Sequence, residues 1–318
     1  MSQTTRQLAY NYYQQTANPP LSAFLRTDVQ WHGPCPFDDL SGIEAVQEHF
    51  WQPLHTSFTR LRRRMDIFIG GTCEGQTWFS STGYFIGHFE QDWLGIPATG
   101  RQDFLRYGEF CRVEAGQISE IYLLLDIVDL ATRAGKPLLP PSAGLVGFVP
   151  PPRTGEGVLL EPAPEEGQRT FDLAYEMLFG GLNQFEGDTQ QEAESNTMGL
   201  RRYWHPDMHW YGPAGIGTTR NLSEFQQWHQ YPWLHAFPDR KVIWESPMFG
   251  DGHYAATAGW REVVATHTGE YLGHTPTNQQ IEFRVMDWWR REGDLLAENW
   301  VLIDLLDAFR QMGMDLLA

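Results

Sequence analysis

An acidic residue and an aromatic residue share one face of a predicted strand at two places in the chain. Side-chain alternation puts Tyr122 and Asp126 on the same side of one strand, and Trp300 and Asp304 on the same side of another. A carboxyl group that faces an apolar cavity has a raised pKa, which suits a general acid or base. The pattern therefore predicts Asp126 and Asp304 as catalytic residues.

The same two aspartates also fit a structural role. Each is followed by a stretch with helical spacing, and these stretches close with Gly135 and Gly313. An Asp at the start of a helix accepts hydrogen bonds from the first free N–H groups and stabilises the helix by about 1 kcal/mol. The pattern alone leaves both roles open.

Histidines could assist such a carboxylate. His267 and His274 flank residues 268–273, just before the strand that leads to Trp300 and Asp304. An imidazole near a buried carboxylate can relay a proton or bind a carbonyl oxygen. We therefore predict that His267 and His274 take part in catalysis.

Aromatic residues predict the wall of a ligand site. The chain holds 13 Trp and 14% aromatic residues, and aromatic walls suit a planar or polycyclic ligand. Arg220 follows a glycine-rich loop and could bind an anionic or carbonyl group. The candidate ligand contacts are Trp300, Tyr122, His32, Tyr211, Trp210, His88, Trp260 and Arg220.

The sequence offers little for a metal or a cofactor. No H-E-x-x-H motif occurs, and His205 and His209 are separated by Pro206, so they would not share a helical face. The three cysteines form no C-x-x-C pair. We predict no metal and no cofactor.

Charge and hydropathy restrict the partners. The formal net charge of −17 repels phosphate backbones and argues against nucleic acid. No apolar run reaches the ~20 residues of a membrane span, and the first residues lack the pattern of a signal peptide. These features predict a soluble cytoplasmic protein that binds a small molecule.

The sequence contains an internal repeat, with two related copies of one pattern. Residues 28–34 (DVQWHGP) match residues 207–213 (DMHWYGP) at an offset of 179, and the offset drifts to 178 where Asp126 matches Asp304. Between the copies, residues 136–168 hold eight of the 20 prolines, which favours extended coil. We predict domains at 1–135 and 169–318, joined by a linker at 136–168.

Each copy predicts the same class of fold. Helical spacing comes first, as in residues 171–184, and stretches rich in β-branched and aromatic residues follow, separated by turn signals. Helices followed by strands, without β-α-β alternation, indicate an α+β fold with a mostly antiparallel sheet.

The motifs resemble the SnoaL-like polyketide cyclases, within the nuclear-transport-factor-like and ketosteroid-isomerase-like folds. The second copy carries the resemblance in residues 207–217 (DMHWYGPAGIG), 266–273 (THTGEYLG) and 298–313 (ENWVLIDLLDAFRQMG). The first copy is similar in residues 94–101 (LGIPATGR) and 120–126 (EIYLLLD). The resemblance implies two tandem cone-shaped α+β barrel domains, each with N-terminal helices packed on a curved sheet.

The resemblance also implies a reaction. In the family a terminal Asp acts as acid and base in an aldol-type ring closure without metal or cofactor, and that role falls on Asp304 and Asp126. Alternatives are an isomerase or hydrolase of the same fold, or a non-catalytic binding protein for a small hydrophobic molecule. Tandem copies further imply an internal pseudo-dimer, with a homodimer also possible.

This chain departs from the family pattern in both copies. The second copy has residues 274–278 (HTPTN) where the family tends to Ile-Pro-Ala-Thr-Gly. The first copy has residues 87–91 (GHFEQ) in place of the Thr-His-Thr-Gly segment. The two copies are therefore predicted to differ in their pockets, or one of them to be silent.

Overall fold

Two sheets follow one another along the chain in the computed structural model, which describes residues 2–14, 20–182, 197–243 and 247–318. The chain divides into two compact units, here called the first and second domains. The first comprises Met1–Leu138, Pro150–Pro162 and Leu317–Ala318, and the second comprises Leu139–Val149 and Ala163–Leu316. The described residues contain no helix long and apolar enough to cross a membrane.

The first domain is a six-stranded sheet with helices. Its helices are α1 (Gln3–Tyr13), α2 (Ile43–Val46), α3 (Gln52–Ser57) and α4 (Ile127–Arg133), and a π-helical turn, Gln47–Trp51, joins α2 to α3. Its strands are β1 (Leu25–His32), β2 (Asp39–Ser41), β3 (Phe58–Cys73), β4 (Gln76–Phe89), β5 (Gln102–Glu114) and β6 (Gln117–Leu125). The strand order is β2-β1-β6-β5-β4-β3, and only the β1–β6 pair is parallel among these described pairs.

The second domain repeats this plan. Its helices are α5 (Pro164–Glu176), α6 (Leu222–Phe225), α7 (Tyr231–Ala236) and α8 (Leu305–Gln311), with π-helical turns at Met177–Gly181 and Gln226–Gln230. Its strands are β7 (Trp204–Tyr211), β8 (Thr218–Thr219), β9 (Lys241–Val242), β10 (Met248–Asp251), β11 (Tyr254–Thr257), β12 (Trp260–Thr266), β13 (Gln280–Glu292) and β14 (Leu295–Ile303). The order is β10-β11-β13-β14-β7-β8, while β12 pairs with β13 and β9. The predicted α+β class, with mostly antiparallel sheets in two tandem copies, is confirmed.

Tight turns fix the strand registers. Ala115 and Gly116 have φ values of 50° and 80° between β5 and β6, a left-handed geometry that suits two-residue hairpin turns. The turn aligns Glu109 with Leu123 across the pair, and the equivalent hairpin aligns Asp287 with Val301. The central strands of the two domains therefore carry their side chains in matching positions.

The Pro-rich segment contributes to both domains. Gly144 N–H donates to the oxygen of Ile216 over 2.9 Å, so this part of the segment extends the edge of the second sheet. Phe68 N–H donates to the oxygen of Gly157 over 2.9 Å, so the later part extends the first sheet at β3. A Cβ on Gly157 would lie 2.1 Å from the oxygen of Asp66, and this close approach therefore requires glycine.

Candidate active site

The second domain contains a partly open apolar cavity of about 130 Å³ between its helices and the inner face of its sheet. A space of this order holds a single ring, since an engineered apolar cavity of about 150 Å³ binds benzene. Its apolar wall includes Trp210, Trp233, Trp289, Leu178, Val263 and Val285.

Two carboxyl groups line this apolar space. Glu262 on β12 and Asp287 on β13 are both buried, with 7% of each residue exposed. Burial raises the pKa of Glu262 well above its ordinary value, and the charge of Asp287 raises it further. Asn299 on β14 donates from Nδ2 to Oδ1 of Asp287 over 2.8 Å, which favours the charged form of that carboxylate. The two surroundings therefore differ: burial favours the protonated form of Glu262, whereas the amide donor favours the charged form of Asp287.

An irregularity in the sheet places Glu262. In the first domain β4 runs past β5 in one unbroken register, with Tyr84 opposite Arg106 and Phe85 opposite Leu105. In the second domain Trp260 lies opposite Arg284 and Val263 opposite Phe283, so two extra residues, 261 and 262, stand between them. Bulges of this kind re-aim side chains next to active sites.

The backbone around the bulge makes room for the acid. Arg261 has a φ of 75°, which is costly for a residue with a side chain. A Cβ on Gly259 would lie 1.9 Å from Oε2 of Glu262. Only glycine therefore allows the Glu262 side chain to pack where it does.

Further polar groups surround the ligand space. The Nε1–H of Trp289 is buried and has no hydrogen-bond partner among the described residues, as is true of Oε2 of Glu262. The ring of His229 stacks on Trp210 with centroids 4.3 Å apart, and burial lowers the pKa of His229 to about 3. His229 is therefore neutral across the physiological range, while Trp289 and Glu262 can both donate to a ligand oxygen.

The family comparison matches this half of the chain. Residues 190–312 match the model of the SnoaL-like polyketide cyclases. This match lies within the second domain. The family match does not extend to residues 1–189, and comparison with curated proteins gives no match.

Three solved structures are similar to part of the chain. IdmH from Streptomyces antibioticus is 19% identical and covers 46% of this chain and 99% of its own, with a TM-score of 0.35. An NTF2-like protein from Burkholderia xenovorans LB400 is 13% identical, covers 46% and 97%, and has a TM-score of 0.34. TsrD from Streptomyces laurentii is 18% identical, covers 48% and 98%, and has a TM-score of 0.35.

Asp304 lies outside the residues that line the cavity of the second domain. It is the N-cap of α8, where Oδ1 accepts from the N–H of Asp307 over 3.1 Å, and it lies 3.4 Å from Nη1 of Arg284. Asp126 is the N-cap of α4 in the same way and accepts from the N–H of Asp129 over 3.1 Å. The capping role is confirmed for both residues, and their catalytic role stays a prediction.

Trp300, the aromatic residue predicted beside Asp304, lies on the other face of the sheet from the cavity. On β14 the cavity is lined by Asn299, Val301 and Ile303, the residues that alternate with Trp300. Trp300 instead packs against Tyr211 with centroids 5.2 Å apart. The O–H of Tyr211 donates to Oε1 of Glu298 over 3.0 Å.

The equivalent face of the first domain brings two predicted residues together. The ring of His32 stacks on Tyr122 with centroids 4.4 Å apart. The O–H of Tyr122 donates to Glu120 over 2.7 Å, and Nε2 of His32 lies 3.4 Å from the same carboxylate. Burial lowers the pKa of His32, but the hydrogen bonds that its ring donates to Glu120 and Asp39 outweigh burial, so the pKa is raised.

The sequence predicted twelve site residues, four catalytic and eight in contact with the ligand. Among the residues that the structure describes, only Trp210 of these twelve lines the cavity, and the others are dispersed. Nδ1 of His267 lies 3.1 Å from Oγ1 of Thr277, and His274 contacts Phe309 edge to face. Arg220 is exposed and pairs with Glu224. Trp260 lies 5.0 Å from the guanidinium of Arg284, and His88 pairs with Gln102 in the β4–β5 ladder.

Sequence reasoning missed Glu262, Asp287, Asn299 and His229. A usable signal was present, because Glu262 and Asp287 are acidic residues within strand sequences that are rich in apolar and aromatic residues (WREVV and VMDWW). A carboxyl group among such neighbours can be buried with them, and burial is what shifts its pKa.

Proposed function

We propose that the second domain is an acid/base catalyst for a neutral carbonyl compound, with Glu262 as the acid and Asp287 as the base. The observation that carries this proposal is the buried Glu262–Asp287 pair in an apolar cavity. Two carboxyl groups whose surroundings separate their proton affinities are suited to divide acid and base roles.

Each group has a defined part in the reaction. Asp287 takes a proton from the carbon next to the carbonyl group, and Glu262 gives its proton to the carbonyl oxygen, which produces an enol. The Nε1–H of Trp289 is a second donor for that oxygen. Donors fixed in a site without water stabilise a developing oxyanion far more than they would in water.

The family match supports ring closure as the next step. The enol carbon attacks a second carbonyl group of the same molecule, and a carbon–carbon bond forms. The enol O–H returns its proton to Glu262, and the proton on Asp287 passes to the new alkoxide. Substrate and product therefore have the same atoms, and both carboxyl groups return to their starting states.

Proton exchange tests the first step without knowledge of the natural substrate. The purified protein is incubated in D2O with cyclohexanone, 2-methylcyclohexanone and ethyl 2-oxocyclohexanecarboxylate, and NMR follows loss of the α-proton signal. We expect exchange above the buffer rate, and a loss of about 10²- to 10⁴-fold in Asp287→Asn and Glu262→Gln, as for removal of an acid/base group. Asp304→Asn is the matched control.

Two results would contradict the proposal. Exchange that survives in both cavity variants but disappears in Asp304→Asn would move the chemistry to the helix cap. Binding of the ketones, seen as tryptophan quenching, with no exchange above buffer would make the domain a binding module.

A further inference from the structure

An arginine fills the interior of the first domain. Nη2 of Arg63 on β3 donates to Oε2 of Glu109 over 3.1 Å, and the two side chains are 4% and 1% exposed. Cζ of Arg63 lies between 4.9 and 5.6 Å from five ring centroids, a range in which cation and ring attract each other. We call Glu109 and these rings the arginine cage; the rings belong to Tyr12, Tyr13, Trp51, Phe85 and Tyr107.

Strand register shows what replaces Arg63 in the second domain. Arg63 pairs with Phe85, and Val242 pairs with Val263. Phe85 and Val263 in turn occupy the same position against the next strand, at Leu105 of β5 and Phe283 of β13. Val242 therefore stands where the first domain has Arg63, and Val242 lines the cavity.

Other residues of the arginine cage also occupy positions equivalent to those of residues that line the cavity of the second domain. Tyr107 and Glu109 face Leu125 and Leu123 on β6, as Val285 and Asp287 face Ile303 and Val301 on β14. Trp51 ends the π-helical turn of the first domain, as Gln230 ends that of the second. The equivalent residues in the second domain all line the cavity: Gln230, Val242, Val263, Val285 and Asp287.

These differences between the two domains all leave more space in the interior of the second domain. Valine and glutamine stand where the first domain has arginine and tryptophan, so the second domain keeps space that the first fills with side chains. In the first domain the guanidinium also neutralises Glu109, which would otherwise be a buried charge without compensation. Removal of Arg63 would leave a cavity that is walled by rings and carries one carboxylate.

We propose that Arg63 is a permanent internal occupant of the first domain, so that of the two sheet interiors in the described part of the chain, only that of the second domain takes an apolar ligand. The first domain keeps the fold without a ligand. Its cage binds an organic cation, the guanidinium group of Arg63, which belongs to the same chain. This inference does not rest on the acid/base chemistry of Glu262 and Asp287.

Xenon counts the apolar cavities of the wild-type chain directly. Crystals of the full chain are pressurised with xenon, which enters dry apolar cavities, and anomalous scattering locates it. We expect one xenon site per chain, between Trp210, Trp289 and Val285. A xenon atom inside the first sheet, among Tyr12, Trp51 and Phe85, would overturn the proposal, and so would the absence of xenon from the second domain.

Chemical rescue tests the cage. Arg63→Ala should melt at a lower temperature than the wild type, and millimolar methylguanidinium should restore the melting temperature with a saturable dependence. Arg62→Ala, at the exposed neighbouring position, is the matched control and should not respond. If methylguanidinium raises the melting temperature of Arg63→Ala no more than that of the control, the proposed role of the cage is wrong. If this variant is unfolded alone, folding on addition of methylguanidinium is the expected result, and failure to fold counts against the cage.

The reciprocal change tests the equivalence of the two positions. Val242→Arg should place a guanidinium near Asp287, fill the second cavity and abolish its xenon site. Val242→Ala is the control and should retain xenon. Xenon that persists in Val242→Arg would contradict the proposed equivalence with Arg63.

Discussion

Asn299 and Asp287 are joined across the β13–β14 pair by a hydrogen bond of 2.8 Å from Nδ2 to Oδ1. The same Nδ2 lies 3.2 Å from the main-chain oxygen of Trp288, to which it also donates. Two acceptors therefore fix the orientation of the amide, with its nitrogen toward the carboxylate. In the proposed mechanism, this hydrogen bond stabilises the charged form of Asp287.

Asn299→Leu should reduce the charged fraction of Asp287, which is the form that acts as the base. A hydrogen bond to a charged group contributes about 1.5–3 kcal/mol, so the rate of ketone proton exchange should fall by roughly 10- to 100-fold. NMR in D2O measures this rate. Gln280→Leu, on the exposed start of β13, is the control and should leave the rate unchanged. A full rate in Asn299→Leu would show that Asp287 needs no donor.

Glu262 should make the second domain less stable in alkali. Its pKa is raised in the folded state by burial and by Asp287, so the folded protein keeps a proton that the unfolded chain releases above its ordinary pKa. This stabilising contribution is complete below that ordinary pKa and is lost as pH rises through the folded pKa.

Urea unfolding between pH 4 and pH 9 checks this dependence. The free energy of unfolding should fall with rising pH in the wild type, by at most about 1.4 kcal/mol per pH unit for this one group. Glu262→Gln should flatten the curve, whereas Glu90→Gln, at an exposed position, should not. A curve of the same slope in Glu262→Gln would contradict the assignment.

Asp304 should affect stability more than turnover. Asp304→Ala removes the N-cap of α8 and should lower the free energy of unfolding by about 0.5–2 kcal/mol. Asp304→Asn keeps a good capping residue, and its exchange rate should stay within about twofold of wild type. Thermal melts and NMR exchange measure the two effects. Abolished exchange in a folded Asp304→Asn protein would restore the sequence-based assignment.

Deletion of residues 261 and 262 together should give a folded but inactive second domain. The deletion restores the unbroken register that β4 keeps in the first domain and removes the positive φ at Arg261. Circular dichroism should show native sheet, and ketone exchange should fall to the buffer rate. Activity in the deleted protein would show that Glu262 is dispensable.

The sequence was sufficient for the architecture because the repeat and the turn signals are local. Capping by Asp126 and Asp304 was also accessible, since an acidic residue before a helical stretch is a strong local pattern. The cavity was not accessible, because alternation shows that Trp300 and Asp304 share a face without showing which face is interior. The alternate residues, from Asn299 to Ile303, line the cavity instead.

The bulge at Glu262 lay beyond sequence reasoning for a different reason. Residues 253–267 form one stretch rich in β-branched and aromatic residues, which predicts a single continuous strand. The two extra residues become visible only when each strand is aligned with its neighbour. Arg63 was likewise hidden in a basic run, residues 60–64, which is typical of a solvated face. Only the tertiary packing of five rings shows that one of these arginines is interior.

The interleaved path of the Pro-rich segment governs how this protein can be dissected. Leu139–Val149 belongs to the second domain, yet Pro150–Pro162, which follows it, belongs to the first. No single cleavage point yields two fragments that each keep their full set of partners. Fragments for separate expression must overlap, with both carrying residues 139–162, and a nick at 149/150 would strip an edge segment from each sheet.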